Sequence, residues 1–169
     1  DTDSASDIIV WDASNGVRLV SVNTDGTGLE IVIQSPEPGA LGLDVAGGTL
    51  YWIDRNLGEI RRANLDGTSP ETVQALTHTG TSLTIATGSQ HLFWAERDNS
   101  LSQVAVFKRA IAGGSVQQLM VLSSTAQVRG LAVYEAAEWV YFGLGGELLK
   151  MFTLGEPISM LYSCGVNIT

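Results

Sequence analysis

The sequence is poor in the residues that build reactive or cross-linked sites. Its 169 residues hold one cysteine, Cys164, and two histidines, His78 and His91. A lone thiol cannot close an internal disulfide, so Cys164 is a small buried residue, a free thiol or an intermolecular bridge, the last of which makes a homodimer. The histidines stand 13 residues apart in a loop and a strand start, whereas the metalloprotease pairing places two on one helical face with a Glu between. Nucleophile elbow, P-loop and Cys-x-x-Cys motifs are missing too, so an enzyme is not expected, nor a metal or cofactor. Positive charge is scarce: 9 basic residues against 18 acidic ones give a net charge of −9, and long-range repulsion disfavours nucleic acid and anionic membrane as partners. Long apolar runs are missing as well, none approaching the roughly 18 residues of a membrane helix, so membrane insertion is not expected. The chain opens at Asp1 with neither an initiator Met nor a signal-like run, which suits a mature secreted protein or a trimmed chain. Asn167-Ile168-Thr169 matches a glycosylation acceptor at the last residues.

What remains is enough for one domain: 44% of the residues are hydrophobic, and a chain of this length buries a substantial core. Four segments repeat a short aromatic pattern, IIVWDA (8–13), TLYWID (49–54), HLFWAE (91–96) and WVYFGL (139–144). Their anchors Trp11, Trp52, Trp94 and Phe142 are 41, 42 and 48 residues apart, a period found in propeller blades and helical arrays. Each copy is a β-branched and aromatic run bounded by Gly, Asp and Asn, which selects strands.

The flanking residues extend each copy into a four-stranded meander. In the clearest one, Leu41–Val45 and Leu50–Ile53 flank a Gly47-Gly48 turn, Glu59–Ala63 follows, and Asp66-Gly67 turns the chain into Glu71–Ala75. Asp-Gly supplies the positive φ of a tight hairpin. The expected architecture is an all-β, four-bladed β-propeller in a single domain covering 1–169. Blade 2 spans 40–76, blade 3 spans 81–123 and blade 4 spans 128–163. Blade 1 is split: 7–35 supplies three strands, and the C-terminal strand at 165–169 completes the N-terminal blade and closes the ring, removing the unpaired edge. Both faces of strands such as Leu29–Ile33 and Leu119–Leu122 read as apolar, as blade-on-blade packing requires.

Blade 2 carries Tyr51-Trp52-Ile53-Asp54 followed by Arg62-Ala63-Asn64-Leu65-Asp66-Gly67, and in this it resembles the YWTD repeat of low-density lipoprotein receptor-type propellers. Phe93-Trp94-Ala95-Glu96, Tyr141-Phe142-Gly143, Trp11-Asp12 and Thr24-Asp25-Gly26 keep parts of the pattern. The resemblance implies an extracellular, non-catalytic binding module whose Trp residues wedge between blades.

Candidate ligand residues lie in the loops that such a fold gathers on one face, since function concentrates on loops held by a rigid scaffold. The loops after the second strands offer Asp12 and Asn15, then Asp54, Arg55 and Asn56, then Glu96, Arg97, Asp98 and Asn99, then Gly143–Gly145. Pro36–Ala40, Thr77-His78-Thr79, Ser124–Arg129 and Ser163-Cys164 join them from the connections between blades. Carboxylates, Arg, Asn and His make paired hydrogen bonds to neighbouring hydroxyls, so a secreted carbohydrate-binding, lectin-like propeller with repeated sites for glycans or glycoproteins is one expectation. The other is an extracellular protein- or peptide-binding module that takes a basic partner on an acidic face. Asp12, Asp54 and Glu96 also have a structural alternative, anchoring backbone amides of their own loops. Arg62, Arg109 and Lys150 read as equivalent third-strand positions, solvated or paired with acids. Asn23 to Glu30 faintly suggests a calcium loop, but reads better as an Asp-Gly hairpin.

Overall fold

The computed structural model describes residues 7–12, 18–34 and 37–163. Alternating apolar runs and turn residues become four antiparallel meanders in chain order. The first holds β1 (Asp7–Asp12), β2 (Arg18–Asn23) and β3 (Glu30–Gln34). The second holds β4 (Pro38–Asp44), β5 (Thr49–Asp54), β6 (Glu59–Asn64) and β7 (Glu71–Ala75). The third holds β8 (Thr79–Ala86), β9 (His91–Asp98), β10 (Gln103–Ala110) and β11 (Gln117–Ser123). The fourth holds β12 (Val128–Tyr134), β13 (Trp139–Leu144), β14 (Glu147–Phe152) and β15 (Gly155–Ser163). The strand expected at 165–169, and with it the closure of the ring, lies outside the described residues, as do Cys164 and Asn167.

Neighbouring sheets pack face to face, and each interface is sealed by the aromatic anchor of the later blade. Trp52 sits with Leu19, Ile33, Leu50 and Ala63 between the first and second sheets. Trp94 sits with Tyr51, Ile53, Ile60 and Leu92 between the second and third. Phe142 sits with Phe93, Val106 and Met151 between the third and fourth. Trp52, Trp94 and Phe142 are at most 1% exposed. Burying an aromatic side chain of this size is worth about 2–3 kcal/mol, so they hold the blades together.

A β-bulge recurs at one position in all four sheets, where the third strand pairs with the outer strand: Leu19/Val20, Ile60/Arg61, Val106/Phe107 and Leu148/Leu149. This common landmark corrects the sequence alignment in the first blade. Trp11 pairs with Leu19 as Ile53 pairs with Ile60, so Val10, not Trp11, holds the register of Trp52. From Val10 to Trp52 to Trp94 the repeat is 42 and then 42 residues. One residue of slip exchanges the faces of a strand, so Trp11 occupies the register of Ile53, which faces the following blade.

The same ladder corrects the third-strand cations. Lys108, not Arg109, pairs with Phe93, as Arg62 pairs with Tyr51 and Lys150 with Tyr141. Arg62 is bound to Glu71 at 2.6 Å, while Lys108 and Lys150 lie over the rings of Phe93 and Trp139. Arg109 instead reaches back to blade 2, its Nη1 donating to the Val73 carbonyl and to Gln74.

Strand starts also differ: β4 begins at Pro38 and β8 at Thr79, ahead of the expected 40 and 81. Register shifts at Pro38/Leu41 and Gly80/Ser82 break the alternation that would have revealed these residues. The outer strands are not apolar-buried on both faces, since Leu29, Ile31 and Val121 are exposed; blades diverge toward the rim and cover these strands less.

The two Asp-Gly turns are built alike. Asn23 and Asn64 donate side-chain bonds to Thr27 and Thr68, whose amides and hydroxyls donate to Asp25 and Asp66. Gly26 and Gly67 have φ of +84° and +81°, the left-handed region that favours glycine. The Asn23–Glu30 segment is therefore a hairpin turn. The Thr hydroxyl bonds hold both Asp carboxyls below their usual range.

Candidate functional site

Hairpins β5–β6, β9–β10 and β13–β14 emerge at the same end of the sheets as the connections between blades. Backbone bonds tie these segments together: Arg55 N–H to the Glu37 carbonyl (2.9 Å), Leu76 N–H to Gly58 (2.8 Å) and Ser124 N–H to Ser102 (2.8 Å). The opposite end carries the hairpins inside each blade's first and last strand pairs, linked by Leu65 N–H to Gly48 at 3.1 Å. The expected loop face is thus assembled from the expected segments, although Thr79, Glu96, Arg97, Asp98 and Gly143 belong to strand ends.

Burial divides the candidate residues. Asp54 is the last residue of β5 and Glu96 lies two residues before the end of β9, and they are 2% and 4% exposed. Asp54 accepts the Leu57 N–H at 3.1 Å. Glu96 is used by three donors, the amides of Thr77 (2.9 Å) and His78 (2.7 Å) and the indole N–H of Trp94 (2.8 Å). Both carboxylates are internal anchors, which corrects their assignment as ligand contacts. Blades 2 and 3 share a carboxylate at this register, two residues after Trp52 and Trp94, whereas blade 4 has Leu144 there.

Asp98 accepts the amides of Ser100 (2.8 Å) and Leu101 (3.1 Å) and the Ser100 hydroxyl (2.6 Å). The hydroxyl, then the Leu101 amide, hold its carboxyl below the usual range, with a smaller contribution from His78. The His78 ring stands 3.7 Å from Asp98. Arg55 and Arg97 play matching parts: Arg55 Nε donates to the Gly80 carbonyl at 3.2 Å, and Arg97 Nη1 donates to the Thr125 carbonyl. Each straps its own blade to the start of the next. Arg97 Nε also donates to Asn99 Oδ1 at 2.6 Å. Asn56 is exposed on the same face. Of the remaining candidates, Asp12 ends β1, opposite Arg18, and Asn15 lies outside the described residues.

Two hollows of about 480 Å³ each open on this face between blades 3 and 4. The first is bounded by Arg97, by Thr125 to Arg129 from the connection between the blades, and by the turn at Gly143–Glu147. The second lies between Leu122, Leu149, Ile158 and Met160. A smaller one of about 220 Å³ brings His78, Glu96 and Asp98 beside Gln103 and Phe107. Of the residues around the two hollows between blades 3 and 4, Arg97 was singled out by sequence. Arg129 and Glu147 were not, although Ser124–Arg129 and Gly143–Gly145 were placed on this face. Arg129 carries the one signal available, a cation in a connection that is otherwise uncharged.

No protein-family model and no curated protein matches the sequence. Solved structures do match. The chain aligns with a structure of a nidogen/laminin complex at a TM-score of 0.82 and 15% identity, covering 95% of this chain and 62% of that one. A putative TolB from Agrobacterium tumefaciens aligns at 0.75 and 10% identity, covering 93% and 61%. A gluconolactonase from Xanthomonas campestris aligns at 0.70 and 14% identity, covering 85% and 54%. The chain therefore spans about three fifths of the length of the structures it matches best among these. At such identities the likeness is one of fold, and that fold, antiparallel sheets packed about aromatic anchors, is a β-propeller.

Proposed function

We propose that the chain is an extracellular, non-catalytic protein-recognition module that takes an exposed segment of its partner on the loop face between blades 3 and 4. The observation that carries this reading is the pair of adjoining hollows there, each about 480 Å³, one bordered by Arg97 and Arg129 and the other by Leu122, Leu149, Ile158 and Met160. They are wide and shallow, shaped for a run of side chains more than for an enclosed small molecule. The fold likeness to a structure of nidogen with laminin supports a protein partner. Asp54 and Glu96, the carboxylates that could do acid and base work, are occupied by internal donors, which supports a binding role over a catalytic one.

The same occupancy weakens the carbohydrate reading, which would have to rest on the other candidates, Asp12, Asn15, Arg55, Asn56, His78, Arg97, Asp98 and Asn99. Paired screening of the chain on a glycan array and on an array of extracellular proteins tests the choice. Protein binders that are lost with Arg129→Glu are expected. Glycan binding that persists in Arg129→Glu, without protein binders, would overturn the proposal.

A further inference from the structure

We infer that the two hollows flanking the Gly145–Glu147 turn form one bipartite site for a peptide segment carrying an acidic side chain beside an apolar one. This rests on the protein-recognition reading above and specifies its ligand.

The chain has nine basic residues, and two of them, Arg97 and Arg129, border a single hollow. Arg97 is fixed in place by Nε on Asn99 and Nη1 on the Thr125 carbonyl, bonds that do not use Nη2. Arg129 is exposed and forms no ion pair with any described residue. A guanidinium held by a neighbouring loop next to a second, unpaired one suits a carboxylate, because Arg presents parallel N–H donors to paired oxygens. The wall opposite is kept low by glycine. A Cβ on Gly143 would lie 2.7 Å from the Arg129 carbonyl oxygen, and Gly145 and Gly146 turn with φ of +61° and +94°.

Across this turn the second hollow gathers Leu122, Leu149 and Ile158 with Met160, which is 59% exposed, and its polar edge is Ser123, Ser124 and Glu147. Leu144, Gly145 and Glu147 line both hollows, so the two adjoin and a single extended segment laid over the turn can reach both. Glu147 stands between them and repels a second acid at the apolar position. Specificity then comes from an unfavourable contact as well as a favourable one.

Panning a phage-displayed random peptide library on the immobilised full chain tests the site. The expected result is enrichment of Asp or Glu beside Leu, Ile, Met or Phe, weakened by salt. On Arg129→Glu the acidic preference should vanish while the apolar one persists. A selected acidic peptide should bind Arg129→Ala about tenfold more weakly and Glu147→Gln two- to threefold more tightly, a gain that a merely misfolded variant would not give. A basic motif on the wild type, or the same motif on Arg129→Glu, would overturn the bipartite site while leaving protein recognition standing. No enrichment on the wild type, together with glycan-array binding, would overturn both.

Discussion

Replacing Glu96 by Ala removes the acceptor that gathers three donors at the turn of blade 3. One of them, the Trp94 indole N–H at 2.8 Å, is buried, and leaving it unpaired costs about 1–3 kcal/mol. The amides of Thr77 and His78 belong to exposed residues and regain water, so each lost bond costs about 0.5–1.5 kcal/mol. The sum is about 2–6 kcal/mol, a large share of the roughly 5–15 kcal/mol that stabilises a domain. Urea unfolding followed by tryptophan fluorescence should show a midpoint lowered by about 1–2 M with the slope unchanged. Glu96→Gln should fall between the two, since an amide carbonyl can serve the indole or the backbone amides but its NH2 then faces donors. On a Trp94→Phe background Glu96→Ala should cost about 1 kcal/mol less, because the buried donor is gone. A loss under 0.5 kcal/mol in Glu96→Ala, accompanied by weakened partner binding, would refute the internal-anchor assignment and return Glu96 to the ligand site.

The two anchoring tryptophans should respond differently: Trp52 Nε1 has no hydrogen-bond partner among the described residues, so Trp52→Phe loses packing and some of the Arg61 contact over its ring, while Trp94→Phe should cost about 1 kcal/mol more, read from urea midpoints. Gly67→Ala combines a φ of +81° with a Cβ only 2.0 Å from the Val32 carbonyl oxygen and should destabilise by about 2 kcal/mol or more, whereas Gly48→Ala, at φ +65° with open space around it, should cost about 1 kcal/mol. Hydrogen bonds hold the carboxyls of Asp25, Asp66, Asp98 and Glu135 below their usual range, Glu135 through the Gly88 amide first. Their stabilisation is thus complete above about pH 4–4.5 and is lost as pH falls through the lowered values. Thermal melts should hold level from pH 7 to pH 5 and drop below pH 4, and a melting temperature that rises on acidification would contradict this.

The fold was legible because β-sheet alternation and turn chemistry are local. TLYWID, HLFWAE and Asp66-Gly67 announce strands and a hairpin without tertiary help. The slips occurred where a single residue mattered. Trp11 looks like Trp52 in sequence, but a strand's faces depend on ladder register, and the bulge at Leu19/Val20 leaves no compositional mark. The same holds for Arg109, one place from the register of Arg62 and Lys150. For the site, symmetry made Asp54 and Glu96 conspicuous, although a carboxylate shared by neighbouring blades suits scaffolding equally, and both serve internal donors. Arg129 and Glu147 share the fourth sheet, joined through the β12–β13 and β13–β14 ladders, and meet Arg97 only when blade 4 packs beside the β9 end. That meeting is set by long-range packing, which residue spacing does not encode.

The central claim, recognition of a protein segment on the loop face between blades 3 and 4, is tested most directly by hydrogen exchange of the full chain with and without a captured protein ligand. The account predicts protection concentrated at 125–129 and 143–147, with little change at the Asp-Gly hairpins 23–28 and 64–68. Protection confined to those hairpins would contradict it.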